Sequence, residues 1–333
     1  MDLFTIKNDQ GMEASFISYG ARLVSLIFKG KDLVLGFDDL EDYKNTDQVF
    51  GAVIGRYANR IGGAKFSLDG NTYNLPVNNG DNCLHGGPDG WAYKDWNLID
   101  RSSDSIKFGI VSPDGDAGFP GEVNASVKYT ITDNNELLIE YEATTTMPTP
   151  INMTNHAYFN LEGNPNNNVL DDDLQINAKF MTVLGDQTLP NGEIALIKEN
   201  SPFDFSKPKK IGKDIKADDN QIKAGNGYDH NFIIDTKGKN MDYSVPLIYA
   251  ASLHNPVSDI TMDVYTTEPG VQFYDAVDLD GSIIGKEGIA YGPYCAACLE
   301  TQAFPDSPNV SHFPNTILRP EQRYIAATVY KFS

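Results

Sequence analysis

Cysteine is scarce: the 333-residue chain holds three, Cys83, Cys295 and Cys298. A small, odd number excludes a disulfide framework and points to reduced thiols. Cys295 and Cys298 form a C-x-x-C, but in an extended strand residues three apart face opposite ways, which argues against a metal or redox pair. Long apolar runs are also missing, and none approaches the roughly 18 residues a spanning helix needs. The first residues, Met1-Asp2-Leu3-Phe4-Thr5-Ile6-Lys7, lack a basic stretch followed by an apolar one. A soluble, cytoplasmic protein without a membrane partner is expected. Positive charge is in short supply, 26 basic against 46 acidic residues for a net charge of −20. Such a surface repels phosphate backbones, so nucleic acid is a poor partner and a neutral ligand a compatible one.

Helical periodicity is nearly absent. The best helix candidates, Leu40 to Asn45 and Ile211 to Ala224, are short and polar. No repeat of fixed period is visible, which disfavours propellers and solenoids. There is no P-loop, no G-x-S-x-G elbow and no glycine-rich dinucleotide fingerprint between strand and helix. The five histidines form no H-x-x-x-H or H-x-H cluster, so neither a metal site nor an organic cofactor is expected. Any chemistry is left to proton transfer by side chains.

What the chain does have is strand pattern from end to end. Val123, Ala125, Val127, Tyr129 and Ile131 alternate with polar residues; Asp133-Asn134-Asn135 turns the chain; Leu137, Ile139, Tyr141 and Ala143 return it. Leu23–Phe28 and Asp32–Leu35 flank Gly30, and Phe66–Leu68 and Thr72–Leu75 flank Asp69-Gly70, in the same manner. Hydrophobic residues at 41% suffice for one large core. The reading is all-β and antiparallel, one domain over residues 1–333, with loops such as Pro76–Gly80, Pro113–Gly121 and Gly163–Asn168.

Against that background a few side chains stand out. His156, in Asn155-His156-Ala157-Tyr158-Phe159-Asn160-Leu161, interrupts a run that otherwise reads as buried strand, and is either a satisfied core residue or a positioned acid. Glu300, in Cys298-Leu299-Glu300-Thr301-Gln302, is a carboxylate in similar surroundings. Arg60 stands between Asn59 and a glycine pair, His85 precedes Gly86-Gly87, and Asp229 lies between Tyr228 and His230. Asp229 suits either a polyol or the bracing of His230. His254 and His312 read as turn or loop residues without chemistry.

These segments are specific in combination. Gly55-Arg56-Tyr57-Ala58-Asn59-Arg60-Ile61, Leu84-His85-Gly86-Gly87, Asn155 to Leu161, Tyr228-Asp229-His230-Asn231, Pro269-Gly270-Val271-Gln272-Phe273-Tyr274 and Cys298 to Gln302 follow one another in an order that resembles the aldose 1-epimerases, or galactose mutarotases. The resemblance implies a large antiparallel β-sandwich that interconverts the α and β anomers of free aldoses without metal or cofactor, as a monomer or homodimer. It implies Glu300 as base at the C1 hydroxyl and His156 as acid at the ring oxygen. Asn59, Arg60, His85, Asp229 and Gln272 would hold sugar hydroxyls, and Tyr158 would line the pocket. After Tyr274 the family usually continues with small polar residues and Asn, whereas this chain has Asp275-Ala276-Val277-Asp278.

Opening a hemiacetal takes a proton from one oxygen and delivers one to another, which a carboxylate and an imidazolium do together. With reference pKa values of about 4.3 and 6.5, activity near neutrality is expected to need His156 shifted upward, held by Glu300 and Asp229. Trp91, Trp96 and Phe273 are candidate stacking partners for the ring, although such aromatics are more often plain core. Alternatives are a hexose-6-phosphate epimerase, for which Arg56 and Lys94 are the extra cations near Arg60 and His85; a glycoside hydrolase using Asp229 and Glu300; and a non-catalytic sugar-binding module.

Overall fold

The computed structural model describes residues 1–237, 240–242 and 246–333. Among the described residues the largest sheet has ten strands and is antiparallel throughout. Its centre is the hairpin expected from the alternation. Val123–Ile131 and Glu136–Thr145 pair from Val123↔Thr145 to Ile131↔Leu137, with Val123, Ala125, Val127, Tyr129 and Ile131 buried. The C-terminal strand Tyr324–Phe332 lies against Glu136–Thr145 and joins the hairpin to Ile260–Thr266 and Pro246–Asn255. The strand pair Arg22–Phe28 and Lys31–Asp32, and the pair Lys65–Leu68 and Asn71–Asn74, close across their expected turns.

A five-stranded sheet carries the residues that matter most below. Its order is Pro190–Leu196, Ala178–Leu184, β1 (Asp229–Ile234), β2 (Gly270–Tyr274) and β3 (Cys298–Gln302). One hydrophobic cluster takes residues from both sheets and from the N-terminal strands, among them Phe16, Leu23, Val127, Tyr141, Phe232, Val271, Leu299 and Phe332. Layers of strands over a shared apolar core make the all-β sandwich that period-2 patterning requires.

Two readings are corrected, and of the two readings of Trp91, Trp96 and Phe273 the core one holds. Residues 211–224 are not one helix: a short turn at Ile211–Lys213 is separated from α1 (Asn220–Ala224), which starts where the Asp219 side chain accepts from the Gln221 and Ile222 amides. His254 sits in the strand Pro246–Asn255, with Nδ1 at 3.1 Å from Thr261 Oγ1. Trp91, Trp96 and Phe273 are at most 2% exposed and pack in the core. Trp91 lies so close to Gly55 that a Cβ there would meet its ring at 2.1 Å.

Candidate active site

A cavity of about 880 Å³ opens beside the five-stranded sheet, walled by Asn59, Arg60, Asn78, Asn79, His85, His156, Tyr158, Asp229, Tyr274 and Glu300, with Lys44, Asp47, Asp89 and Asp278 farther along it. Glu300 is the middle residue of β3, which is buried along its whole length. His156 follows the short strand Thr154–Asn155, paired with Val53–Ile54. Its backbone is held on both sides: its N–H donates to Ala52 O and its carbonyl accepts from Gly51 N, each at 2.9 Å. Asn155 Nδ2 donates to Gly51 O at 2.8 Å and adds a third tie. The imidazole is thus carried on a rigid support.

The two elements bring His156 Nε2 to 3.5 Å from Glu300 Oε1. Both residues are buried, 5% and 2% exposed. Among the described residues, His156 Nδ1 and Glu300 Oε2 have no hydrogen-bond partner. Buried polar atoms without partners are costly, and a substrate can satisfy them. Tyr158 stacks on His156 with ring centroids 5.0 Å apart, and Tyr274 meets Tyr158 edge-on at 6.1 Å.

Asn59 and His85 form one unit. His85 N–H donates to Asn59 O and Asn59 N–H donates to His85 Nδ1, each at 3.1 Å. Both residues have positive φ, 65° and 55°, strain of the kind that concentrates at functional sites. The turn that follows needs glycine: Gly86 has φ +82° and a Cβ there would lie 2.2 Å from Gly55 O. Because Nδ1 accepts, the proton of neutral His85 sits on Nε2, making it a donor. Nitrogens of His85 and His156 and an oxygen of Glu300 lie within 4.8 Å of one another. A metal would need His85 as a lone-pair ligand, whereas its tautomer suits a sugar hydroxyl.

Arg60 and Asp229 meet at 3.4 Å (Nη1 to Oδ2). Arg60 Nε donates to Asn79 Oδ1 at 2.9 Å, and Gln272 Nε2 donates to Asp229 Oδ1 at 2.6 Å. Gln272 is buried and off the cavity wall; its amide is directed at Asp229, not at the cavity. Asn79, in the expected loop Pro76–Gly80, and Tyr274 went unassigned in the sequence because their roles follow from pairings such as Arg60↔Leu84 that join distant segments. Asp229 braces His230 as well, through its backbone N–H to Nδ1 at 3.1 Å.

The expected upward shift of His156 is overturned. Burial pushes its pKa down to about 4, outweighing the attraction of Asp229, with buried Arg22 lowering it further. Burial pushes Glu300 well above the usual carboxylate range, helped by Asp229 and opposed by Arg60. Burial likewise holds His85 neutral, lowered further by His156 and Arg60. Burial penalises every charged form, and a single neighbouring carboxylate does not offset that penalty.

The aldose 1-epimerase family model matches residues 2–331. The galactose mutarotase of Bos taurus is 40% identical over 338 aligned residues, spanning 100% of this chain and 94% of the relative. The chain belongs to the aldose 1-epimerase family. The aldose 1-epimerase of Escherichia coli K12 is 36% identical, covering 99% of this chain and 94% of its own. An aldose epimerase homologue from C. elegans superposes with a TM-score of 0.89 at 31% identity, covering 100% and 98% of the two chains. Membership makes this chain an isomerase acting on carbohydrates that interconverts the anomers of aldoses. The cavity's content is apt for an aldose 1-epimerase: polar side chains surround one close carboxyl–imidazole pair.

Proposed function

We propose that Glu300 and His156 are the acid–base pair for anomer exchange of free aldohexoses, galactose and glucose foremost. The observation that carries this is the 3.5 Å contact of the two buried groups at the cavity wall. The oxygens to be served, the C1 hydroxyl and the ring oxygen, are bonded to the same carbon, so an acid and a base in contact can reach both. Burial favours the neutral carboxyl of Glu300 and the neutral imidazole of His156; passage of a proton from Glu300 to His156 leaves the net charge of the pair unchanged and produces carboxylate and imidazolium. Glu300 then takes the O1 proton as His156 protonates the ring oxygen, the C1–O5 bond breaks, and the open-chain aldehyde forms. Rotation about C1–C2 presents the other carbonyl face, and reclosure runs the two transfers backwards.

Arg60 and Asp229 supply charge-assisted bonds to hydroxyls, Asn59 and the Nε2–H of His85 supply neutral ones, and Tyr158 lines the pocket. Gln272 acts on the sugar through Asp229. In a glycoside hydrolase two carboxyl groups flank the bond; here the group nearest Glu300 is an imidazole, while Asp229 is engaged by Arg60 and Gln272. The continuous core supports reading residues 1–333 as one domain, and three free, buried thiols support a reducing cytoplasmic setting. No helix among the described residues is long and apolar enough to cross a membrane.

The test is polarimetric. Freshly dissolved α-D-galactose or α-D-glucose loses its initial rotation faster with the protein present than in buffer. Equal rates would refute the proposal.

A further inference from the structure

The stretch Asp275-Ala276-Val277-Asp278 departs from the family pattern, and the structure shows what its first residue does. Asp275 follows directly on β2, where the ladder to β1 ends at the pair Tyr274↔Asp229. One more backbone bond continues past that pair, from Asp275 N–H to Tyr228 O at 3.1 Å. The return bond is made by the side chain: Tyr228 N–H donates to Asp275 Oδ2 at 2.8 Å, and Val277 N–H donates to Oδ1 at 3.2 Å. Asp275 is fully buried, and among the described residues no cation is hydrogen-bonded to it. Gly227 makes room for it, with φ +131° and space so tight that a Cβ would lie 2.4 Å from Oδ2. Two backbone elements are therefore clamped by one carboxylate where the sheet ends, immediately before Asp229.

The position of Asp229 decides the shape of the sugar-binding wall. Its two oxygens sit between Gln272 Nε2 and Arg60 Nη1, so a small rotation of the backbone at Tyr228–Asp229 breaks the 2.6 Å bond or opens the 3.4 Å contact. We propose that Asp275 is a positioning residue for substrate binding: its carboxylate, bonded to the Tyr228 and Val277 amides, fixes the Tyr228–Asp229 backbone and thereby aims the Asp229 carboxylate at the sugar. This rests on the assignment of Asp229 as a sugar ligand. Asp275 does not line the cavity, and its effect is on affinity.

The experiment measures KM and kcat for α-D-galactose by polarimetry, with melting temperature, in Asp275→Asn, Asp275→Ser, Asp229→Asn and the double variant Asp229→Asn/Asp275→Asn. Asparagine turns an NH₂ towards one of the two amides and loses that bond, so KM should rise about 10-fold while kcat stays within about twofold. Serine keeps one short acceptor and should fall between. Because Asp275 acts through Asp229, adding Asp275→Asn to Asp229→Asn should change KM no further. A lower melting temperature with wild-type KM in Asp275→Asn, or independent multiplication of the two KM effects, overturns the proposal. If Asp275→Asn does not fold, Asp275→Ser decides by the same readings. An unchanged KM in Asp229→Asn alone, where Asp275 is intact, overturns the ligand assignment and this proposal with it.

Discussion

Glu300 Oε1 lies 3.5 Å from His156 Nε2, and burial drives the two groups in opposite directions, the carboxyl up and the imidazole down. Between those two limits the pair holds one proton and no net charge. That is a way of storing a proton at a buried site without leaving an uncompensated ion there. Ring opening then needs no exchange with solvent, since every proton moved from the sugar is matched by one moved to it.

Removing the carboxyl should stop the exchange without unfolding the chain. Glu300→Gln is expected to lower kcat by about 10²–10⁴-fold, with KM within a few-fold. The amide has nearly the same shape and sheds a carboxyl that burial penalises, so the melting temperature at pH 8 should not fall. Polarimetry together with thermal melting checks both, and a kcat near wild type would remove Glu300 from the reaction.

The pH dependence follows from the directions of the shifts. His156 takes up a second proton on the pair only near pH 4, and the shared proton leaves above the usual carboxylate range because the folded site raises Glu300. The free-enzyme profile, read as kcat/KM, should therefore rise through an acid limb near pH 4, with its basic limb displaced upward from the usual carboxylate range. An inflection at the ordinary histidine value of about 6.5 would mean that desolvation does not control the imidazole.

Phosphorylated sugars should be poor substrates. Arg56 is buried behind the site and donates to Ser112 Oγ, Ser112 O, Pro113 O and Pro120 O, and Lys94 is paired with Asp116 at 2.5 Å. The cavity itself carries Asp47, Asp89, Asp229 and Asp278 against Lys44 and Arg60, beside the net-neutral Glu300–His156 pair. A hexose 6-phosphate should show a kcat/KM at least about 10-fold below that of the free hexose, the gap narrowing at 1 M salt, where the screening length falls to about 3 Å. Equal rates at low salt would count against this charge balance.

The aromatic residues separate into site and core. Tyr158→Ala should raise KM several-fold, since it removes the surface stacked on His156. Trp91→Ala should instead cost about 3–5 kcal/mol of stability and leave KM unchanged in the fraction that folds, because Trp91 packs under Gly55 and against Trp96. Denaturant melts and initial rates on the same preparations distinguish the two behaviours.

Much of this was open to inspection in the chain itself. Alternation in Val123–Ile131 and its return strand is a local property of two-residue period, and it dictated an antiparallel sheet with one buried face. The order of short segments around Asn59-Arg60, His85, His156-Ala157-Tyr158, Asp229 and Glu300 likewise named seven side chains that line the cavity. Other features depend on which distant atoms crowd a group. Gln272 faces Asp229, Asn79 receives Arg60, and Trp91 stays in the core because of pairings across the sheets. The sign of the His156 shift was legible only in three dimensions, for the same reason: attraction by a carboxylate can be guessed from residue types, but desolvation is set by all the atoms that exclude water, and these come from every part of the fold.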